Sequence, residues 1–177
     1  MRILGLDPGY AICGFSLVDS FASQLEAVDF GVFRTTAEQP FEERLLSIYT
    51  DLCRTIERYR PDVIAIEELF FSRNTTSAIA TAEARGVLVL AAAQYELPLF
   101  EYKPMQVKLA VTGYGRADKQ QVQEMVRILL GLETRPKPDD AADALAVAIC
   151  QAHTGLTSTH RLRAAYPKRR DPRREDL

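Results

Sequence analysis

The sequence has few cysteines and no long apolar run. Its three cysteines, Cys13, Cys53 and Cys150, are odd in number and widely spaced, so they indicate neither a disulfide framework nor a zinc-type pair. The longest apolar run covers residues 86–93, far short of the roughly 18–20 residues that span a membrane. The N-terminal residues lack the pattern of a signal peptide. A reduced, cytoplasmic protein without a membrane span is therefore expected.

Net positive charge is also missing, although the charge is unevenly distributed. The chain of 177 residues carries a formal net charge of −2, which argues mildly against a nucleic-acid partner. Residues 161–177, however, carry a net charge of +4, so the remainder carries −6. A basic tail on an acidic body is typical of a tethered electrostatic arm, and a solvated terminus fits the composition as well. We expect one domain over residues 1–155 and a basic, disordered tail over residues 156–177.

The apolar pattern predicts an α/β fold. Strand patterns cover residues 2–7, 13–18, 27–34, 63–67 and 99–102. Five helix patterns are present. The first two cover residues 40–59 and 75–95, the third begins near residue 104, the fourth covers 118–130, and the fifth begins at 139 or 140 and ends at 153. Short connections between the first three strands imply antiparallel pairing, whereas the two-sided apolar fourth strand is typical of a parallel central strand. This order predicts a mixed five-stranded sheet with helices on both faces.

Four acidic residues indicate where chemistry would occur. Asp7 and Glu67 end apolar strands, and Asp140 and Asp143 lie one turn apart on an Ala-rich helix. Because functional groups gather beyond the carboxyl ends of strands, these carboxylates could form a cluster that holds two Mg²⁺ ions. Taken singly, each acid has an ordinary alternative: a turn residue for Asp7, a solvated strand end for Glu67, and a helix cap for Asp140 or Asp139.

The motifs around these acids resemble those of the RuvC family of bacterial Holliday-junction resolvases. The resemblance spans residues 1–155 in order and in spacing. It is carried by the strings Gly5-Leu6-Asp7-Pro8-Gly9, Ala65-Ile66-Glu67, Arg85-Gly86-Val87, Glu96-Leu97-Pro98 and Asp140-Ala141-Ala142-Asp143-Ala144-Leu145-Ala146. It implies a ribonuclease-H-like fold.

The resemblance also implies an activity and its partners. It implies a homodimer that needs Mg²⁺, with Mn²⁺ as a substitute, and that nicks two strands of four-way junction DNA symmetrically. It further implies cooperation with a branch-migration complex of RuvA and RuvB. The family's metal-binding carboxylates correspond to Asp7, Glu67, Asp140 and Asp143. Glu68 is a rival for Glu67, but the Ala-Ile-Glu string favours Glu67.

Further residues gain a role only through the resemblance. Phe70 matches an aromatic residue that stacks on an unpaired base, and Lys108 and Lys119 match positions that contact DNA. Without the resemblance, lone surface lysines would not indicate a DNA contact. Phe71 remains either a core residue or a DNA contact. The Ala-rich helix 75–95 is apolar over most of its circumference, which suits either the core or a contact with another subunit.

Other functions remain as alternatives at this point. An actin-like ATPase or sugar kinase also has an Asp-x-Gly turn after its first strand, but it needs two such domains and a second Gly-rich loop. A non-catalytic DNA-binding module of the same fold would typically have lost some of the four acids, and all are present. A nuclease of the same fold that acts on RNA is a stronger alternative than either of these. The predicted dimer helix and Phe70 favour the junction enzyme over it.

Overall fold

The computed structural model describes residues 1–22, 24–69 and 75–155. These residues form five strands and five helices. In chain order they are β1 (Arg2–Asp7), β2 (Ile12–Phe21), β3 (Gln24–Arg34), α1 (Phe41–Tyr59), β4 (Val63–Glu67), α2 (Thr75–Gln94), β5 (Leu99–Tyr102), α3 (Pro104–Thr112), α4 (Lys119–Leu129) and α5 (Asp139–Thr154). Within the described residues, no helix is long and apolar enough to cross a membrane.

The strands form one mixed sheet in the order β3-β2-β1-β4-β5. β1 and β2 pair antiparallel, as do β2 and β3. β4 runs parallel to both β1 and β5, as its two-sided apolar sequence predicts. The predicted mixed, ribonuclease-H-like sheet with helices on both faces is therefore confirmed. Because β1 and β4 are parallel neighbours, their carboxyl ends, Asp7 and Glu67, lie at the same edge of the sheet.

A separate apolar core fills each side of the sheet. On one side, α1 and α2 pack against the sheet through residues such as Ile48, Leu52 and Leu88, which are at most 1% exposed. On the other side, α3, α4 and α5 share a core that includes Phe100 and Leu145. The Val63–Glu67 strand lies between both layers, so four of its five residues are buried. This sandwich fixes the strand ends that carry the acids.

Helix α5 lies unusually close to strands β1 and β2. A Cβ atom placed on Gly5 would be 2.2 Å from the Ala144 carbonyl oxygen, and one on Gly14 would be 2.0 Å from the Asp140 carbonyl oxygen. The buried Ser16 hydroxyl donates a hydrogen bond of 2.8 Å to the Ala144 carbonyl. The missing side chains at the two glycines are therefore what allows the helix backbone to contact the sheet.

Two local predictions differ from the structure. The β2–β3 hairpin extends further than the predicted ranges 13–18 and 27–34, because pairing continues to Phe21 and Gln24. These outer residues are largely exposed, so backbone pairing there leaves no apolar pattern to mark it. The N-cap of α5 is Pro138, without a side-chain cap bond, so the alternative that Asp139 or Asp140 merely caps this helix is wrong. The predicted start of α4 at residue 118 agrees with the structure, where Asp118 is the N-cap and forms a capping box with Gln121.

Candidate active site

Three elements bring the four predicted acids to one edge of the sheet. Asp7 ends β1 beside Gly14 of β2, and Glu67 ends the adjacent strand β4. Asp140 and Asp143 lie in the first two turns of α5. Since the Asp140 carbonyl oxygen faces Gly14, and Gly14 pairs with Asp7, close packing of α5 places the helix acids over the strand acids. The sequence spacing predicted this arrangement, and the glycines supply its physical basis.

The electrostatics show that the acids share one environment. Burial, followed by the charges of Glu67, Asp143 and Asp140, raises the pKa of Asp7 to about 8. Burial and the charge of Asp143 raise the pKa of Glu67 to about 7, although a hydrogen bond with Asp7 lowers it in part. Carboxylates this close resist simultaneous ionisation unless positive charge is added. The cluster therefore favours a cation.

The donor set fits a hard divalent cation. Carboxylate oxygens are the ligands that Mg²⁺ prefers, and they outnumber any softer donor at this edge. As they stand, no three His, Cys, Asp or Glu side chains of the described residues are arranged to hold a metal ion. One of the acids, Asp143, is paired with a lysine. The chemistry of the donors thus fits Mg²⁺.

Lys119 is that lysine, and its position is a feature that sequence reasoning missed. Its Nζ lies 3.2 Å from Asp143 Oδ2 and 3.3 Å from Asp139 Oδ2. Burial alone would lower the pKa of Lys119, but Asp143 and Asp139 outweigh it and raise the pKa. The sequence indicated Lys119 as a DNA contact through the family resemblance alone. Nothing in its spacing showed that it would neutralise part of the acid cluster.

The other predicted residues are placed less completely. Lys108, on α3, is near enough to Glu67 for its charge to lower the pKa of that carboxyl. Glu68, the rival of Glu67, donates its backbone N–H to the Tyr102 carbonyl at 2.8 Å, whereas the coupling with Asp7 involves Glu67. Phe70 and Phe71 lie outside the described residues, so their predicted roles stay predictions.

Comparisons with known proteins agree with the geometry of this site. The family model described as crossover junction endodeoxyribonuclease RuvC matches residues 3–151. A protein of that name from Desulfitobacterium hafniense is 57% identical over 154 residues, covering 87% of this chain and 93% of the relative. Its counterpart from Heliobacterium modesticaldum is 58% identical over 154 residues, covering 87% and 95%.

Solved structures give the same result. The structure of T. thermophilus RuvC in complex with a Holliday junction substrate matches with a TM-score of 0.82 and 36% identity, covering 86% of this chain and 93% of that one. The yeast mitochondrial Holliday junction resolvase Ydc2 matches with a TM-score of 0.63 at 16% identity, covering 86% and 78%. The second likeness shows a shared fold, and the first extends to the sequence.

Proposed function

Because the chain belongs to the RuvC family of crossover junction endodeoxyribonucleases, we propose that it resolves four-way DNA junctions during recombination and DNA repair. The observation that carries this proposal is the convergence of Asp7, Glu67, Asp140 and Asp143 at one sheet edge. The raised pKa values of Asp7 and Glu67 mark these acids as a cluster that needs cations. The relative of known structure was solved with a Holliday junction substrate, which supports the same substrate class here.

We propose that these four carboxylates bind Mg²⁺, two ions per subunit, with Mn²⁺ as a substitute. When bound, such a metal pair supplies an activated water and stabilises the leaving oxygen of a phosphodiester. The chain's own contribution is to hold the donors: strands β1 and β4 fix Asp7 and Glu67, and the contact of α5 with Gly14 fixes Asp140. A rigid donor set lowers the reorganisation needed during the reaction.

DNA contacts follow from the same proposal. Lys108 and Lys119 would offer positive charge beside the acids, where an anionic backbone would otherwise be repelled. Phe70, which immediately follows the described stretch that ends at Leu69, would stack on an unpaired base near the cut, as such aromatic residues do on single strands. The family resemblance supports these three roles, and the location of both lysines near the acids is compatible with them.

We further propose a homodimer that cuts both strands of the junction symmetrically. A two-fold substrate calls for a two-fold enzyme with one active site per subunit. Helix α2 carries exposed apolar residues that suit the interface: Ile79 is 60% exposed and Leu90 is 55% exposed. Family membership supports a cytoplasmic location and cooperation with the branch-migration proteins RuvA and RuvB, and both remain proposals.

The test of this function is a substrate panel with and without Mg²⁺. The protein is incubated with a mobile four-way junction, a linear duplex, a single strand and an RNA–DNA hybrid. We expect paired nicks in the junction only, dependent on Mg²⁺ and absent from Asp7→Asn. Cleavage of the hybrid with an intact junction would favour the alternative, an RNA-processing nuclease of the same fold.

A further inference from the structure

The Lys119 side chain is held from two sides. Its ammonium contacts Asp143 at 3.2 Å and Asp139 at 3.3 Å. Asp139 is held in turn, because Gln123 Nε2 donates a hydrogen bond of 3.0 Å to its second carboxylate oxygen, Oδ1. The chain therefore contains a sequence of contacts, Gln123 to Asp139 to Lys119 to Asp143, that links the surface of α4 to the acid cluster.

The geometry of the two helices makes this arrangement specific. Lys119 and Gln123 are four residues apart on α4, and Asp139 and Asp143 are four residues apart on α5. Residues at this spacing lie on the same helix face. Two residues of one helix thus meet two residues of the other, and Asp139 is the member that contacts both α4 side chains. Asp139 itself is exposed, so the core does not require it.

Asp143 has two competing uses in the proposed active site. It pairs with Lys119 in the structure, and it is one of the four carboxylates proposed to bind Mg²⁺. If Asp143 were the only partner of Lys119, the lysine would compete directly with the metal for this carboxylate. A second carboxylate that holds the ammonium removes this conflict, because Lys119 then keeps a fixed partner when Asp143 is occupied.

We propose that Asp139, oriented by Gln123, is a positioning residue that holds Lys119 beside the acid cluster, where its charge faces the scissile phosphate. This inference rests on the proposed function. Asp139 contacts neither metal nor DNA in this proposal and acts only through Lys119. A lysine has a long, flexible side chain with three ammonium donors, so a second acceptor restricts the position of its charge further. Preorganised charge of this kind acts mainly on the transition state.

General electrostatics predicts the opposite effect, which makes the proposal testable. Removing an exposed acid near a DNA-binding site should improve DNA binding and leave cleavage unchanged or faster. The positioning role instead predicts that Asp139→Asn slows single-turnover nicking of a four-way junction about tenfold while its junction Kd changes less than about twofold. Asp139→Glu keeps the charge and should restore most of the rate. Asp51→Asn, at a half-buried acid of α1 that also pairs with a cation, Arg54, is the control and should cut normally.

A double-mutant cycle tests whether Asp139 acts through Lys119. Lys119→Met should slow nicking on the order of a hundredfold, and adding Asp139→Asn to it should cause no further loss. A second measurement uses the free protein and Mg²⁺ alone. In thermal unfolding, Asp139→Asn should need about threefold more Mg²⁺ for half of the full shift, because Lys119 then pairs with Asp143 alone.

The outcomes separate this inference from the proposed function. If wild-type protein does not nick junctions in Mg²⁺, the proposed function fails. If wild type nicks and Asp139→Asn matches it in rate and in Mg²⁺ requirement, the positioning role is wrong and the function stands. Additive losses in the double mutant would also overturn the proposal, since Asp139 would then act independently of Lys119.

Discussion

At the scale of single residues, the four carboxylates carry the strongest prediction. Replacing Asp7, Glu67, Asp140 or Asp143 by Asn or Gln should reduce junction nicking on the order of 10³-fold or more, a loss of about 4 kcal/mol of transition-state stabilisation. Junction binding should persist, because the amides keep the shape of the site and remove repulsion toward DNA. The measurement is single-turnover nicking alongside a binding titration in Ca²⁺. A variant that cuts at the normal rate would exclude that residue from the site.

The raised pKa of Asp7 yields a second prediction, for the metal-free protein. Folding raises this pKa to about 8 from an ordinary value near 4, so the folded chain binds the proton more tightly than the unfolded chain. The resulting contribution to stability is fully present below about pH 4 and is lost as the pH rises through about 8. Asp7→Asn cannot ionise, so it should gain stability relative to wild type as the pH rises.

We expect that gain to be near zero at pH 4 and roughly 1–3 kcal/mol at pH 8.5, after allowance for solvent at the open side of the site. Thermal unfolding in EDTA across this range measures it. Mg²⁺ should remove much of the advantage at pH 8.5, because the cation stabilises the ionised wild-type cluster. An equal gain at both pH values would show that the cluster is not strained by its charge.

At the scale of elements, the contact of α5 with the sheet predicts a strong effect at Gly14. Gly14→Ala would place a methyl group 2.0 Å from the Asp140 carbonyl oxygen, so α5 must move. We expect a loss of about 1–3 kcal/mol in unfolding free energy and a loss of nicking larger than that of a variant destabilised at the same contact without a change in helix spacing. Ser16→Ala is that comparison: it removes the hydrogen bond to Ala144, at about 1 kcal/mol, without changing the spacing. Normal nicking by Gly14→Ala would refute the spacing argument.

The prediction about the proposed homodimer concerns helix α2. Leu90→Glu should weaken the proposed dimer at least tenfold in Kd, because a charge would be buried in an apolar interface. Ile128→Glu is the matched control: Ile128 lies on α4 and is 53% exposed, against 55% for Leu90. Light scattering or ultracentrifugation at micromolar concentration measures both. A wild-type monomer that still nicks both strands together would overturn the proposed dimer.

The elements also show how much of the fold the sequence could predict. Strand β4 and the helices α1, α4 and α5 follow from apolar periodicity, because each buries apolar side chains in one of the two cores. The hairpin ends of β2 and β3 do not, because backbone pairing there involves exposed side chains. The four acids could be found from their positions at strand and helix ends. The pairing of Lys119 with Asp143 could not, because it depends on how α4 and α5 meet in space.

At the scale of the whole molecule, the charge distribution raises the question of how an acidic protein binds DNA. An acidic body must bind an acidic polymer, and the proposed metal ions and the lysines Lys108 and Lys119 would offset that repulsion only near the acid cluster. The segment 161–177, with a net charge of +4, lies outside the described residues. Its composition is the reason to expect a contribution to DNA binding that does not depend on junction structure.

Deleting residues 161–177 should therefore weaken binding to junction, duplex and single strand alike, and should reduce the salt dependence of binding. Each lost phosphate contact lowers the slope of log K against log salt by about 0.9 for duplex DNA. Nicking of bound junctions should remain, because the four acids lie in the described domain. A shorter deletion of residues 171–177, which carry a net charge of −1, is the control and should leave the slope unchanged. If the full deletion keeps the wild-type slope in a KCl series, the tail contacts no phosphate and is only a solvated terminus.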